Sequence, residues 1–318
     1  MPKRYDDATL DAVVSTKNFD ADEAIFLAEE LDSVKAQIYK KRYPAYNAKN
    51  VMPVSTDAGA GAETISFRMF DAVAMAKIVS NYATDFPNVA LTGTKTSVPV
   101  VSLGDMYGYS IQDLRAAQMA KIPLSTDLAA AARQGMEAKA NKLAWQGDEN
   151  HGLFGMLNHP NISQFTLPAD GNGSATTFAS KTDDQVLRDL DDFVGAQVDL
   201  TIGVETPDTL LVPPRVLRQL TGRYLNGTAV TLYKAWLDNN GYVKDILSVP
   251  ELQGAGLNGA DVMIAYRKDP DKFTLEIPVP FEQFPPQYQG MELQVFCHER
   301  FGGLLVRFPL SIIKAEGV

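Results

Sequence analysis

The segment PLSTDLAAAARQGMEAKANKLAWQGDENHGLFGMLNHP, residues 123–160, carries the strongest local signals in the sequence. Alanine, which recurs in its first half, has the highest helix propensity of any residue. Ser125, Thr126 and Asp127 offer oxygens to the free amides of a first helical turn, and the acid suits the positive end of a helix. Gly147 stands where glycine commonly ends a helix. The segment therefore predicts a long helix capped near Ser125 and ended by Gly147.

Apolar side chains recur along this helix at the spacing that puts them on one face. They are Leu128, Ala132, Met136, Ala140 and Leu143. Charged residues fall largely on the other faces, as Arg133, Glu137 and Lys142 do. We expect one side of the helix to pack against the protein and the other side to meet water or a partner.

The residues after the helix, 147–160, are rich in glycine and in turn-forming residues. The acidic sequence GDENH is followed by GLFGMLN and then by Pro160. Glycine and proline at this density mark a tight change of chain direction. The sequence predicts a turn that reverses the chain against the end of the long helix.

The composition is that of a folded protein of 318 residues, 45% hydrophobic, with a net charge of −10. That length accommodates two domains. The first residues, MPKRYDDATL, lack the apolar core of a signal peptide, and no stretch approaches the roughly 18 apolar residues of a membrane helix. We therefore expect a protein that is cytosolic when it is made. The single cysteine excludes an intrachain disulfide, and the acidic balance disfavours sequence-independent DNA binding, which needs clustered lysine and arginine.

The chain begins with residues that show little pattern. Residues 1–18 are polar and aperiodic, so we expect them to form an arm. From Asp20, with Glu23 three positions later as in a capping arrangement, apolar residues follow at helical spacing. Pro44 would stop that helix.

Two extended runs precede the long helix. Over 63–70 apolar and polar residues alternate as they do in a strand, and the run continues to Val79. Turn-forming residues occupy 81–88, and 89–103 returns as a second run broken by Pro99. An isolated two-stranded ribbon is marginal in water. We expect it to lie on a neighbouring surface, supplied either by this chain or by another copy.

Helices and strands alternate over the rest of the chain. We expect a helix to start at Ser110 and a surface loop over 158–181, which is rich in glycine, asparagine, serine and threonine. Thr182 and Asp183 then suit the start of a helix with an apolar face. Further elements are predicted as strands at 209–212 and 262–266, a helix at 216–224, and a strand-rich tail over 273–313. This alternation predicts a mixed α/β domain.

Four segments, taken in order, resemble one family of shell proteins. They are RYPAYNAKNVMPVSTDAGAGAETISFRMFD (42–71), SLGDMYGYSIQDLRAAQMAKIPL (102–124), KLAWQGDENHGLFGMLNHPNI (142–162) and DTLLVPPRVL (208–217). They resemble the encapsulin-like major capsid proteins of tailed bacteriophages, whose fold is shared by encapsulin shells. The resemblance implies an α+β fold of the HK97-like type with four parts: an N-terminal arm (1–50), an E-loop ribbon (51–104), a peripheral domain with the long helix as its spine (105–181 and 267–318), and an axial domain (182–266).

The same resemblance implies a structural protein rather than an enzyme, a major capsid protein that self-assembles into an icosahedral phage head around the DNA genome. Its copies would form pentamers and hexamers in the host cytoplasm and then the virion capsid, with portal, scaffold or decoration proteins as further partners. It implies no catalytic residue, cofactor, metal, membrane contact or sequence-specific DNA binding. The residues that we assign to an intersubunit surface on the E-loop are Glu63, Arg68, Lys77 and Lys95.

Two other functions stay open at this point. An encapsulin-type nanocompartment that holds a cargo enzyme would use the same fold. A nucleotide-dependent cytosolic enzyme would need GAGLNG, residues 254–259, to connect a strand to a helix, because that is the context in which G-x-G-x-x-G holds a pyrophosphate. Pro250 before the motif and the strand-like 262–266 after it indicate a flexible loop instead. The sequence GTKT at 93–96 lacks the spaced first glycine of a phosphate loop, so we assign it to the ribbon.

The remaining reactive side chains show no catalytic or metal-binding pattern. Cys297 and His298 are adjacent, and adjacent residues of a strand point to opposite faces, so we expect a buried cysteine. His151 and His159 flank the predicted turn without the paired spacing of a metal site. Other carboxylates lie mostly on or beside predicted helix faces, and we expect them to be solvated; these are Asp183, Asp184, Asp189, Asp191 and Asp192.

Overall fold

The structure, a computed structural model, describes residues 46–73, 89–120 and 124–318. Residues 1–45 of the predicted arm, with the predicted helix that follows Asp20, lie outside these residues, as does the predicted site residue Lys77. Tyr46–Val318 constitutes one compact unit. Ala48, Val51 and Met52 are buried in its core, so this unit starts before residue 50, where the arm was predicted to end.

The helices and strands alternate along the chain. The α-helices of the described residues are α1 (Ala48–Val51), α2 (Ile111–Ala120), α3 (Leu124–Gln146), α4 (Asp183–Leu200), α5 (Pro214–Gly222) and α6 (Leu232–Asn239). The strands are β1 (Val54–Ser55), β2 (Thr64–Val73), β3 (Ala90–Pro99), β4 (Val101–Ser110), β5 (Ser163–Thr166), β6 (Thr209–Val212), β7 (Asp245–Ser248), β8 (Val262–Tyr266), β9 (Phe273–Glu276), β10 (Val279–Gln283), β11 (Gln287–Gln289), β12 (Glu292–Phe301), β13 (Gly303–Val306) and β14 (Ile312–Glu316).

Helix α3 is the predicted long helix, and its apolar stripe is confirmed. Four stripe residues are buried and the fifth, Leu128, is half-buried; the buried ones are Ala132, Met136, Ala140 and Leu143. The predicted cap is wrong in detail, because the helix already includes Leu124 and Ser125 therefore lies inside its first turn. Asp127 is also in that turn, where a carboxylate still suits the positive end of the helix.

The glycine-rich segment after α3 forms the predicted reversal. Gly147 has a φ of +66°, a left-handed conformation that glycine adopts without strain. The chain then folds back so that the amide of Met156 donates to the carbonyl of Ala144 at 3.0 Å, and that of Leu157 donates to Trp145 at 2.9 Å. The last turn of a helix leaves carbonyls without intrahelical partners. The returning chain supplies those partners and fixes the direction in which it leaves the helix.

A five-stranded sheet, in the order β5-β14-β8-β6-β7, separates two apolar cores. Strand β8 is buried throughout. Its Ile264 and Tyr266 face the core that includes the end of α3, whereas Met263 and Ala265 face the core formed with α4, α5 and α6. Strand residues alternate between faces, so a strand with apolar residues at every position is suited to a sheet covered on both sides.

Several sequence predictions in this region are confirmed and two need correction. Helix α4 has Thr182 as its N-cap in a capping box with Gln185, and β6 and β8 have the predicted bounds. The predicted surface loop 158–181 contains β5, which pairs in parallel with β14. Strands β5 and β14 lie outside 182–266, so the sheet extends beyond the segment predicted as the axial domain.

One predicted surface charge is buried. Asp189 is fully inaccessible, since its carboxylate pairs with the buried ammonium of Lys181 and with the guanidinium of Arg188, whose Nη2 lies 2.6 Å away. The same guanidinium also donates to Asp170 at 2.6 Å and thereby lowers the pKa of that carboxyl. The side chain of Asp189 points inward from the flank of the apolar face of α4, where only an ion pair makes a buried charge tolerable.

Candidate assembly surface

Strands β2 and β3 form a two-stranded antiparallel ribbon in continuous register from Thr64↔Pro99 to Val73↔Ala90. Within the ranges that the structure describes, these strands pair only with each other. The face that carries Phe70 and, opposite Ala72, Leu91 is open to solvent: Phe70 is 61% exposed and Leu91 is 66% exposed. On the other face Ile65, Phe67 and Met69 are half-buried. The ribbon was predicted to include residues up to Leu103, but it ends at Pro99.

The next strand, β4, leaves the ribbon and joins the body of the protein. The amide of Val100 donates to the carbonyl of Glu63 at 2.9 Å, which closes the base of the ribbon. From Val101 the chain pairs along its whole length with β12, from Val101↔Phe301 to Ser110↔Glu292. Pro99 has no amide hydrogen to donate, and proline is typical of the end of a strand.

The predicted site residues take different positions on the ribbon. Arg68 and Lys95 are brought together, because they are directly opposite each other in the register. Glu63 lies at the base, just before β2. Neither Arg68 nor Lys95 has an ion-pair partner among the residues described. Two like charges at directly opposite positions destabilise a strand pair, so the ribbon alone gives these cations no stabilising contact.

Within the described ranges, the ribbon contacts the body near its base. The guanidinium of Arg300 on β12 donates to the carbonyl of Ala60. Ile65 lies against Gly302, where an added Cβ atom would stand 3.0 Å from its Cδ1. The ribbon beyond this point, as far as the structure describes it, therefore presents one open face, one half-buried face and two edges without a strand partner.

The sheet formed by β4, β12, β10 and β11 has one covered face and one open face. On the covered face Tyr107, Val295 and Cys297 pack against Ala132 of α3. On the other face Met106 stands opposite Phe296 in the register, and both side chains are exposed. The sequence analysis did not identify this open face. In the structure Phe296 stands between the buried Val295 and Cys297, and Met106 precedes the buried Tyr107.

The sequence of this chain matches the model of a known protein family. The model of the family described as "Major capsid protein" matches residues 74–318. The chain belongs to the major capsid protein family. Its copies build the shell of a phage head, and the α+β fold of the HK97-like type is confirmed.

The capsid protein is also similar to solved shells. The capsid of Myoviridae phage XM1 is 18% identical, with a TM-score of 0.80 over 93% of this chain and 100% of that chain. The capsid of a native GTA particle is 11% identical, with a TM-score of 0.63 over 91% and 96%. A virus-like particle from Pyrococcus furiosus is 12% identical, with a TM-score of 0.53 over 83% and 90%. At these identities the similarity shows the fold. None of the curated proteins matches the sequence.

The glycine motif of the capsid protein is a turn, as its context predicted. It follows a short 3-10 helix at Pro250–Leu252 and leads into strand β8 rather than into a helix. Two of its amides donate to carboxylates of the same chain: Gly254 to Asp261 at 2.9 Å and Leu257 to Glu316 at 3.1 Å. These two amides already donate to carboxylates, so they are not available to bind a phosphate.

Cys297 of the capsid protein is buried, as expected. Burial raises the pKa of its thiol, and the nearby carboxylate of Asp105 raises it further. His298 lies on the opposite face of β12, where its Nδ1 is 3.0 Å from an oxygen of Glu282. A nucleophile needs a base within hydrogen-bond reach, and in this strand the two side chains point apart.

The histidines beside the α3 turn have separate surroundings. His151 lies 2.9 Å from Asp148, and this hydrogen bond lowers the pKa of the Asp148 carboxyl. His159 stands edge-on to Phe154, and burial lowers the pKa of its imidazole. Across residues 46–73, 89–120 and 124–318, no group of three or more metal-ligating side chains is assembled. No helix in those ranges has the length and apolar character of a membrane span.

Proposed function

We propose that the capsid protein closes into an icosahedral shell because the β2–β3 ribbon of each copy lies across a neighbouring copy. The observation that supports this most directly is the open face of the ribbon, which carries Phe70 and Leu91. Pairs of strands without a packed face are marginal in water. A ribbon that also carries exposed Phe70 and Leu91 gains stability when a second surface covers it.

A contact between the ribbon of one copy and the surface of the next can link copies into rings. The ribbon of one copy and the surface that receives it are different parts of the chain, so the contact is heterologous. Heterologous contacts close into rings when the rotation between copies is right. Rings of five and six copies, repeated over a closed shell, then need only one kind of protein.

The remaining parts of the proposal follow from the family and the charge. The shell encloses the DNA genome without sequence-specific binding. The net charge of −10 also gives little general attraction to the phosphates. The protein acts mechanically and catalyses no reaction. Assembly takes place in the host cytoplasm, with portal, scaffold or decoration proteins as additional partners.

The experiment that tests the proposal removes the ribbon and leaves the body. Residues 65–96 are replaced by a short Gly/Ser linker that joins Thr64 to Ser97, which keeps the base of the ribbon closed. Loop closure depends only weakly on length, so we expect a folded subunit by circular dichroism and thermal melting. By sedimentation and electron microscopy we expect closed shells from the full chain and none from the shortened chain. Shells of normal size from the shortened chain would refute the role of the ribbon.

A milder variant serves as the matched control for folding. Phe70→Ser with Leu91→Ser keeps the ribbon and removes only exposed apolar surface. The subunit should melt as the full chain does, because neither side chain is buried, and the yield of shells should fall. If this variant unfolds, the ribbon belongs to the core of its own chain rather than to a contact between copies.

A further inference from the structure

Asparagine is followed directly by glycine at four places in the sequence, and these are Asn172-Gly173, Asn226-Gly227, Asn240-Gly241 and Asn258-Gly259. Each pair lies in the described chain, outside its α-helices and strands. Such a pair has a chemistry of its own, because glycine has no side chain to keep its backbone nitrogen away from the asparagine side chain. The four pairs therefore share one possible reaction, and the structure distinguishes them by what restrains each one.

The reaction is loss of the side-chain amide of the asparagine. The backbone nitrogen of the glycine gives up its proton and attacks Cγ of the asparagine, so that a C–N bond forms and a five-membered imide closes. The side-chain nitrogen takes up a proton and leaves as ammonia. Water then adds to one of the two imide carbonyls and opens the ring to aspartate or isoaspartate. The sum is one amide and one water converted to one carboxylate and one ammonium ion, without an oxidant, a metal or an enzyme.

Two of the pairs have hydrogen bonds on the groups that must react. The amide of Gly259 donates to the carbonyl of Gly256 at 3.2 Å, so the nitrogen that would attack Asn258 is engaged. The side-chain oxygen of Asn240 accepts from the amide of Tyr242 at 2.9 Å, which holds this side chain at the C-cap of α6. These bonds must break before the reacting atoms can meet.

The turn at Asn172 is restrained through its backbone. The amide of Asn172 donates to the carbonyl of Ser180 at 2.9 Å, and the amide of Gly171 donates to Ala175 at 3.0 Å. The packing here is tight, since a Cβ atom added to Gly171 would stand 2.6 Å from the carbonyl oxygen of Ala175 and 2.6 Å from the hydroxyl oxygen of Ser180. The backbone that carries the side chain of Asn172 is therefore anchored.

The pair at Asn226 lacks these restraints. It lies in the segment between α5 and α6, where its side chain is exposed. Within the part of the chain that the structure describes, neither Asn226 nor the amide of Gly227 takes part in a hydrogen bond. The turn is closed by Thr228 instead, whose amide and hydroxyl each donate to the carbonyl of Leu225 at 2.9 Å. A Cβ atom added to Gly227 would meet nothing within 4 Å, so the pair stands in open space.

We propose that Asn226-Gly227 is a site of spontaneous deamidation, at which solvent water converts the exposed amide of Asn226 to the carboxylate of aspartate and isoaspartate. Each event changes the net charge of one copy from −10 to −11, because a neutral group becomes an anion. Isoaspartate also adds a methylene group to the backbone of the turn. The reaction needs no catalyst, so old copies of the chain carry more negative charge at this turn than new copies.

Timed peptide mapping of the folded full chain tests the site. The purified protein is incubated at pH 8 and at pH 6, digested at intervals, and examined by mass spectrometry after the aspartate and isoaspartate peptides are separated. We expect Asn226 to convert about two- to tenfold faster than the other three asparagines, which is the factor that breaking one hydrogen bond costs. Conversion should be faster at pH 8, because the attacking nitrogen must lose its proton.

The denatured chain is the matched control. In guanidinium chloride the folded turns are lost, and the four rates should converge because each pair has the same local chemistry. The variant Asn226→Gln should melt as the unchanged protein does, since the side chain makes no hydrogen bond, and its peptide should stay unmodified because the longer side chain closes a five-membered ring no longer.

The outcomes decide the proposal in either direction. A folded chain in which Asn226 converts first, with convergence in denaturant, supports it. Conversion at Asn226 no faster than at the three restrained pairs overturns it. A folded chain in which Asn226 stays intact while the denatured chain is converted overturns it as well, because the turn would then protect the amide.

Discussion

Gly147 and Gly155 lie so close together that a Cβ atom added to Gly155 would stand 2.6 Å from the nitrogen of Gly147 and 2.6 Å from the carbonyl oxygen of Trp145. Both of these atoms are backbone, which cannot move aside without breaking the reversal after α3. We expect Gly155→Ala to lower the free energy of unfolding by more than about 2 kcal/mol, as overpacking in a dense interior does. Thermal melting of the subunit measures the loss.

The matched control for that variant is Gly195→Ala in helix α4. An added Cβ atom at Gly195 meets nothing within 4 Å. Alanine in a helix interior is more stable than glycine by about 0.5–1 kcal/mol, so this variant should melt slightly higher than the unchanged protein. Equal melting temperatures for the two alanine variants would show that the close contact at Gly155 has no consequence.

The buried face of α3 gives a second prediction. Met136 is buried in this face, so Met136→Asp places an unpaired charge in the core and should cost more than about 3 kcal/mol. Glu137 lies next to it on the surface and accepts a hydrogen bond from Arg133 at 2.9 Å. Glu137→Ala should cost no more than about 0.5 kcal/mol. Soluble yield and chemical denaturation distinguish the two, and equal losses would contradict the assigned face.

The buried ion pair of Asp189 gives a third prediction. Asp189→Asn leaves the buried ammonium of Lys181 with Asp170, at 3.3 Å, as its remaining acidic partner. Removing one partner of a buried pair costs about 3–5 kcal/mol, and Asp170 should keep the loss near the lower end of that range. Asp184→Asn, on the exposed side of the same helix, should change stability by less than about 0.5 kcal/mol. Replacing both partners, as Lys181→Met with Asp189→Leu, should recover much of the loss. Urea denaturation of the four proteins checks this, and a double variant as unstable as Asp189→Asn would contradict it.

Cys297 gives a prediction with a pH dependence. The thiolate is the reactive form, and a raised pKa means that less thiolate exists at a given pH. The native thiol should therefore resist iodoacetamide at pH 8 and react fully after denaturation. Met291→Cys, an exposed position on the same hairpin, should be alkylated in the native state as well. Rapid alkylation of Cys297 in the folded protein would show that β12 opens readily.

Local chemistry made part of this fold predictable. Thr182 and Asp183 predict the start of α4, because a hydroxyl and a carboxylate can accept hydrogen bonds from the free amides of the first helical turn. The alternation of apolar and polar residues over 63–70 predicts strand β2. The four segments that resemble capsid proteins indicate the family before any strand pairing is known. Arg68 and Lys95 were assigned to the assembly surface from that resemblance, whereas their direct opposition follows only from the strand register.

Long-range pairing made the rest unpredictable. The run from Val89 to Leu103 was predicted as the second strand of the ribbon with a break at Pro99, yet its part after Pro99 joins β12, which lies near the other end of the described chain. Asp189 looks like one of several surface acids, yet Lys181 reaches it from the preceding loop. The short strand β5 has a loop-like composition and is fixed only by its partner β14. In each case the deciding contact is with a residue that local patterns do not reveal.

The pairing of β4 with β12 also sets the order of events in the life of the subunit. These strands come from distant parts of the sequence, and contacts between distant residues form slowly because a large loop must close first. The Met106–Phe296 row therefore does not exist on a partly folded chain. Under the proposed function, the ribbon of one copy covers a neighbour whose β4 and β12 have already met. The folding topology thus acts as a checkpoint that keeps incomplete subunits out of the growing shell.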